Sequence, residues 1–296
     1  MIPLALPDGP ALPRYRPLTG PEQAKVAPWR GLEGRLLRLA APLGGLPPLF
    51  ERRLARSLRA LLDNPAAPSP SLELAERYFG ASLLLRVPPG RLEWQLLDVV
   101  SDGRRAFRLA QRFLDAGDWS GAGEPLPSSV VHLEMAALCD PARPLPESEI
   151  YRYMLRRAAA GQPERRNGVA LASPGLIDAY FAHYAALRDR LRQEGYRPRA
   201  ALAPEAGHRL RGAGAARREA EVGVAIGPGG EVLRLLGGRH RTALAQLLGL
   251  PAMPVRVRLV HAHWLAAQMR RTGLPPHRAL PAGLAQLAEA LAAPSG

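Results

Sequence analysis

Apolar residues recur every three to four positions along much of the chain, and this spacing predicts most of its helices. From Leu49 to Asn64, LFERRLARSLRALLDN places Leu54, Leu58, Leu61 and Leu62 on one helical face. PAAPSPS then breaks the pattern, and Ser71 is positioned to cap a second helix through Tyr78. SLLLRV and LEWQLL, separated by PPG, read as a small hairpin, although either half also suits a helix. GRRAFRLAQRFLDAGDW reads as helical to about Ala116, with Phe107, Leu109, Phe113 and Leu114 on its apolar side. Further helices are expected at Val130–Leu138, Glu147–Ala160 and Ser173–Glu194, the last closed by Gly195. Residues 1–48 are proline-rich and read as an irregular arm, with one helix around Gly34–Ala41.

The pattern changes after Gly195. Arg197–Ala216 is a loop rich in Gly, Ala and Arg, and VGVAI (Val222–Ile226) is a short strand. GPGG turns the chain into a returning strand, Glu231–Leu236. TALAQLLG forms a short helix ended by Gly249, and Pro254–Val260 is another strand. Helices near Trp264–Arg271 and Ala282–Ala292 complete the chain. The expected class is therefore α+β. A mostly helical region covers 1–175, a small mixed β-sheet with helices covers 176–264, and a helical extension covers 265–296.

Composition narrows the function classes. The formal charge is +14 over 296 residues, yet Lys25 is the only lysine. The arginines are spread along the whole length, whereas a nucleic-acid reader concentrates them on one face. Abundant Ala, Leu, Gly and Pro alongside them suits coding by GC-rich DNA, so nucleic acid is a possible partner but not the favoured one. Cys139 is the only cysteine, which excludes an intrachain disulfide and a thiolate zinc cluster. The N-terminal MIPLALPDGPALPRYRP lacks the features of a signal peptide, and no apolar run reaches membrane-spanning length. A cytoplasmic protein with no membrane span is the expectation.

The chemistry concentrates at Leu235-Leu236-Gly237-Gly238-Arg239-His240-Arg241-Thr242. A strand delivers two glycines and three basic or imidazole side chains into a helix start. Glycine permits a tight turn and close approach of a ligand to the backbone. The first helical turn presents unbonded N–H groups, and its dipole favours an anion. Arg239 and Arg241 add fork-shaped donors suited to phosphate oxygens. Gly237 to Thr242 thus read as a phosphate-binding loop, without the Walker pattern. The plainer alternative is that His240 simply donates to a carbonyl at the turn.

GGRHRTALAQLLGLPAMPVRV resembles the signature of the ParB/sulfiredoxin superfamily. There a strand ends in Gly-x-x-Arg, an R-x-x-A-x-x-x-x-G helix follows, and a strand begins with Pro-Val. LRQEGYRPR (Leu191–Arg199) is similar to the step that opens that fold, so the resemblance runs from about Ile177 to Trp264. It is nearest to bacterial proteins with a ParB-like N-terminal domain behind a helical region. Arg239 stands where a sulfiredoxin has its catalytic cysteine, so that reaction is not expected. The segment after Val260 lacks the asparagine-rich box and helix-turn-helix of partition proteins. The resemblance implies a nucleoside triphosphate or diphosphate with Mg²⁺, and phosphoryl transfer to an unknown small-molecule or protein acceptor, or NTP hydrolysis. Catalysis would also need a carboxylate, for which Glu219 and Glu221 are the nearest candidates beside His240. Glu221 alternatively reads as a solvated strand-edge residue. A non-catalytic nucleotide-sensing or DNA-associated regulator is the alternative function, and an interaction protein working through its helical half is a third.

Overall fold

The computed structural model describes residues 12–18, 20–23, 26, 46–166, 168–197 and 221–293. The helix expected around Gly34–Ala41, most of the loop expected after Arg197, and Glu219 lie outside the described residues. In chain order the elements are β1 (Arg16–Pro17), α1 (Leu46–Asp63), α2 (Leu72–Phe79), β2 (Leu84–Val87) and β3 (Trp94–Leu96). β4 (Val99–Ser101), β5 (Ala106–Arg108), β6 (Leu114–Asp115) and β7 (Gly123–Pro125) follow. Next come α3 (Val130–Cys139), α4 (Glu149–Ala159), β8 (Arg165–Arg166), β9 (Val169–Ala170) and α5 (Pro174–Glu194). The last stretch is β10 (Val222–Ile226), β11 (Val232–Leu236), α6 (Arg239–Leu247), β12 (Met253–His261), α7 (Ala262–Thr272) and α8 (Pro276–Ala292). The fold is α+β.

The main sheet runs β2-β12-β10-β11-β3-β7, with β6 pairing the far end of β12. β10 is antiparallel to β11 and parallel to β12, and every residue of β10 is buried. Strands covered on both faces read as continuous apolar runs, which is why VGVAI does not alternate. One face packs against α1, α2, α7 and α8 through Leu54, Leu58, Val224, Val257, Leu265 and Leu280. The other is covered by Tyr15, Leu96, Leu109 and Trp119 from the first half of the chain. A separate helical core of α3, α4, α5 and α6 centres on Met135, Met154, Phe181 and Leu244.

Several expected helices form where their spacing places them. Leu54, Leu58 and Leu61 are all buried on one face of α1. Ser173 caps α5 by accepting from the Leu176 amide, and Gly195 ends it at φ 69°. The segment 104–117 does not form the expected helix. It becomes β5, a 3-10 turn at Leu109–Gln111, and β6. Long-range bonds outcompete a local helix there: Phe113 N donates to Pro70 O, and Val260 N donates to Phe113 O. Asp98 accepts the Ala110 amide as well.

The hairpin expected from SLLLRV and LEWQLL is also corrected. β2 pairs β12 and β3 pairs β11, so the two lie on opposite sides of the β12-β10-β11 centre. The sheet therefore crosses the division expected at 175–176, taking β2, β3, β6 and β7 from the first half. Without them β11 and β12 would present unpaired strand edges.

Candidate functional site

β11 ends at Leu236, and both following glycines are left-handed, Gly237 at φ 69° and Gly238 at φ 59°. Gly238 is the N-cap of α6. A Cβ on Gly238 would sit 2.4 Å from Val222 Cγ2, whereas one on Gly237 would meet nothing within 4 Å. The two glycines thus have different causes, a packed turn at Gly238 and an open backbone at Gly237. The first intrahelical bond runs from Thr242 N to Gly238 O at 2.8 Å, so the amides of Arg239, His240 and Arg241 precede it. Thr242 is buried and its hydroxyl donates back to Gly238 O at 3.0 Å, supporting the turn from inside.

Arg234 braces the loop from beneath. Its guanidinium is buried in β11 and donates through Nη1 to Gly237 O at 3.0 Å. Nε and Nη2 donate to Gln95 Oε1 of β3 at 3.1 and 2.7 Å. Gln95 in turn donates to Glu124 of β7. Burial, reinforced by repulsion from Arg239, pushes the guanidinium down to about 9. A cation is thereby fixed directly under the open backbone of Gly237.

His240, the second residue of α6, is half-buried and joins the helical core. Its imidazole stacks on Tyr184 with centroids 3.9 Å apart and an interplanar angle of 11°. Its Nε2 lies 2.9 Å from the Tyr180 hydroxyl. That hydroxyl donates to Oε2 of Glu134, a fully buried carboxylate on α3. The other oxygen, Oε1, accepts from Arg166 Nε at 2.8 Å and Nη2 at 2.5 Å. Arg166 continues to Glu164 at 3.0 Å. Burial and the Glu134 charge both raise the Tyr180 hydroxyl's pKa, so it stays protonated throughout the ordinary pH range. Burial opposes the charge on Arg166, but the bonds to Glu134 reverse this and hold it well above the usual value.

The remaining expected residues occupy different settings. Arg239 is exposed at the helix start. Arg241 is half-buried, with its guanidinium carbon 5.7 Å from the centre of the Tyr196 ring. Arg241 Nη1 is buried without a hydrogen-bond partner among the described residues. Glu221 is buried rather than solvated. It directly precedes Val222, the residue packed on Gly238, so it lies at the loop end of the sheet.

Sequence reading missed Glu134, Tyr180, Arg166 and Arg234. Two of them carried a signal: Glu134 is the one acidic residue in the apolar VVHLEMAALC, and Arg234 interrupts the buried strand VLRLL. Their partners are distant in sequence and could not be read from it.

Other polar groups have structural roles. His261 is buried at the end of β12, where Nε2 donates to Gly117 O at 3.1 Å and Nδ1 accepts from His263 N at 3.3 Å, capping α7. Among the described residues, no three His, Cys, Asp or Glu side chains gather to hold a metal ion. No described helix is long and apolar enough to cross a membrane. No protein-family model, curated protein or solved structure matches the chain.

Proposed function

We propose that the chain binds the phosphates of a nucleoside triphosphate or diphosphate at Gly237–Arg241, in the manner of the ParB/sulfiredoxin superfamily, and uses this site for phosphoryl transfer or NTP hydrolysis. The observation that carries the reading is the turn itself. Two left-handed glycines hand a strand to a helix start between Arg239 and Arg241, over the buried Arg234. Three amides and the helix dipole favour an anion at this turn, and Arg239 and Arg241 on the first helical turn carry guanidinium groups suited to phosphate oxygens. In this reading Gly237 admits the phosphates, Arg239 and Arg241 neutralise them, His240 positions or protonates, and Glu221 activates the acceptor. Among the described residues no three His, Cys, Asp or Glu side chains gather to hold a metal, so Mg²⁺ would arrive with the nucleotide phosphates.

A non-catalytic nucleotide sensor is the second reading, because the carboxylate connected to His240 is Glu134, which is fully buried and occupied by Arg166. Incubation with Mg²⁺ and each of ATP, CTP and GTP, following phosphate release, separates the two. Release by wild type that is lost in His240→Gln and Glu221→Gln supports catalysis; binding with the triphosphate left intact, both alone and with a panel of hydroxyl acceptors, supports the sensor. A DNA-associated regulator would instead bind duplex with an affinity that falls steeply between low and moderate salt.

A further inference from the structure

We infer that Arg234, aligned by Gln95 and Glu124, is a positioning residue that holds the Gly237–Gly238 peptide with its carbonyl inward, so that the Gly238 N–H faces out of the loop as a donor for a phosphate oxygen. This rests on the phosphate reading of the loop and assigns what sets the direction of its backbone. Strand register supplies the alignment. Arg234 of β11 stands directly opposite Gln95 of β3, and Gln95 stands directly opposite Glu124 of β7. Residues paired in this way share one face of a sheet. Glu124 accepts from the Gln95 amide nitrogen, which leaves Gln95 Oε1 for Arg234. There it accepts from Nε at 3.1 Å and from Nη2 at 2.7 Å. With that edge of the guanidinium occupied, Nη1 is aimed at Gly237 O, 3.0 Å away.

Two glycines in succession leave this peptide a choice of orientation. Turning it over reverses ψ of Gly237 and φ of Gly238, and takes the latter from 59° to negative values that glycine occupies as readily. A guanidinium resolves the choice because it only donates. Facing Arg234, the carbonyl is an acceptor, whereas the Gly238 N–H would set donor against donor beside a buried cation. Across a planar trans peptide the C=O and N–H point in opposite directions, so an inward Gly237 O puts the Gly238 N–H outward. Gly237 is exposed, and among the described residues no group accepts the Gly238 N–H. The next peptide is pinned separately, because Gly238 O accepts from Thr242 N and Oγ1. Left-handed Gly238 is followed by right-handed helical Arg239, a combination in which successive N–H groups converge on an anion. Among the described residues Arg234 forms no ion pair with a carboxylate, and Glu124 reaches it only through Gln95. Its charge is therefore not cancelled by direct contact beneath the loop.

The test combines crystal structures of the full chain with titration of inorganic pyrophosphate, followed by NMR of the assigned glycine amides. Wild type is expected to hold the Gly237 carbonyl on Arg234, and pyrophosphate should shift the Gly238 amide. Arg234→Met removes every donor and keeps an apolar chain of similar length. Its Gly237–Gly238 peptide should be turned over or present in both orientations, and pyrophosphate affinity should fall about tenfold or more. Gln95→Leu keeps the Arg234 charge but removes its alignment, and should also bind more weakly than wild type. Were Arg234 acting through charge alone, Gln95→Leu would bind as wild type does. A single inward carbonyl in Arg234→Met, or wild-type affinity in Gln95→Leu, overturns the inference. Should neither variant fold, wild type decides. A Gly237 carbonyl turned away from Arg234, or pyrophosphate that binds without shifting the Gly238 amide, then overturns it.

The same samples separate the two levels. An orientation fixed in wild type and lost in Arg234→Met, without binding of pyrophosphate or of ATP, ADP, CTP or GTP with Mg²⁺, retains the orienting role and rejects the phosphate reading. Pyrophosphate binding of equal strength in wild type, Arg234→Met and Gln95→Leu retains the phosphate reading and rejects the orienting role.

Discussion

Alanine at Gly237 and at Gly238 should have separable consequences, although the residues are adjacent and both have positive φ. A left-handed backbone costs a residue with a Cβ about 1–2 kcal/mol. Part of this is returned, because alanine restricts the unfolded chain by about 0.4–1 kcal/mol relative to glycine. At Gly237 nothing stands within 4 Å of the new methyl, so the expected loss is about 1 kcal/mol. At Gly238 the methyl would sit 2.4 Å from Val222 Cγ2 and 3.4 Å from its Cβ. Val222 is fully buried in the central strand and has little room to move. Overpacking of this kind adds about 1–3 kcal/mol, giving a total near 2–4 kcal/mol. Urea denaturation at matched m-values measures both. The order should reverse for ligand: Gly237→Ala puts a methyl on the open backbone of the loop and should weaken nucleotide binding despite its small stability cost. Equal destabilisation by the two substitutions would refute the distinction between packed and open glycine on which the site is built.

Two further predictions concern buried charge. Arg166→Ala leaves Glu134 buried without its cation and should cost about 3–5 kcal/mol by denaturant titration. Adding Glu134→Gln should recover part of that loss, and no recovery would mean that Arg166 acts through packing alone. His261 is pushed down from the usual 6.5 to about 4, first by burial. Between those values the unfolded chain binds a proton that the folded chain does not, so stability is full above pH 6.5 and is lost as pH falls toward 4. The loss is at most about 3 kcal/mol. His261→Asn keeps a capping acceptor and should flatten this part of the stability–pH curve; an unchanged slope would assign it to another group.

The parts of the fold that were legible in sequence are those dominated by one local signal. β10 and β11 are largely apolar strands joined by the turn at Gly227–Gly230, and α5 has both its Ser173 cap and its Gly195 stop. The segment from Arg104 to Gly117 misled because apolar residues at short range fit a helix as well as a strand. What decided it was Ser69, Pro70 and Val260, whose backbone and hydroxyl bonds reach across the sheet. The glycine loop was legible for the same local reason, although the helix expected from Thr242 begins three residues earlier, at Arg239. Its supports were not, since Gln95 lies 139 residues from Arg234 and Tyr180 lies 60 from His240. A buried charge shows in sequence only as an interruption, and its partner shows only in the fold.

The most direct test of the phosphate site is calorimetric titration of ATP, ADP, CTP and GTP, each with Mg²⁺, into wild type, Arg241→Ala and Arg239→Ala. Arg239 is exposed, so its removal leaves the packing of α6 untouched. Charge-assisted hydrogen bonds contribute about 1.5–3 kcal/mol each, so either variant should bind about tenfold more weakly or worse. Wild type should bind at least one nucleotide saturably, with that loss in both variants. Absence of binding by all four, or affinity unchanged in both variants, would contradict the assignment of Gly237–Arg241 as a nucleotide-phosphate site.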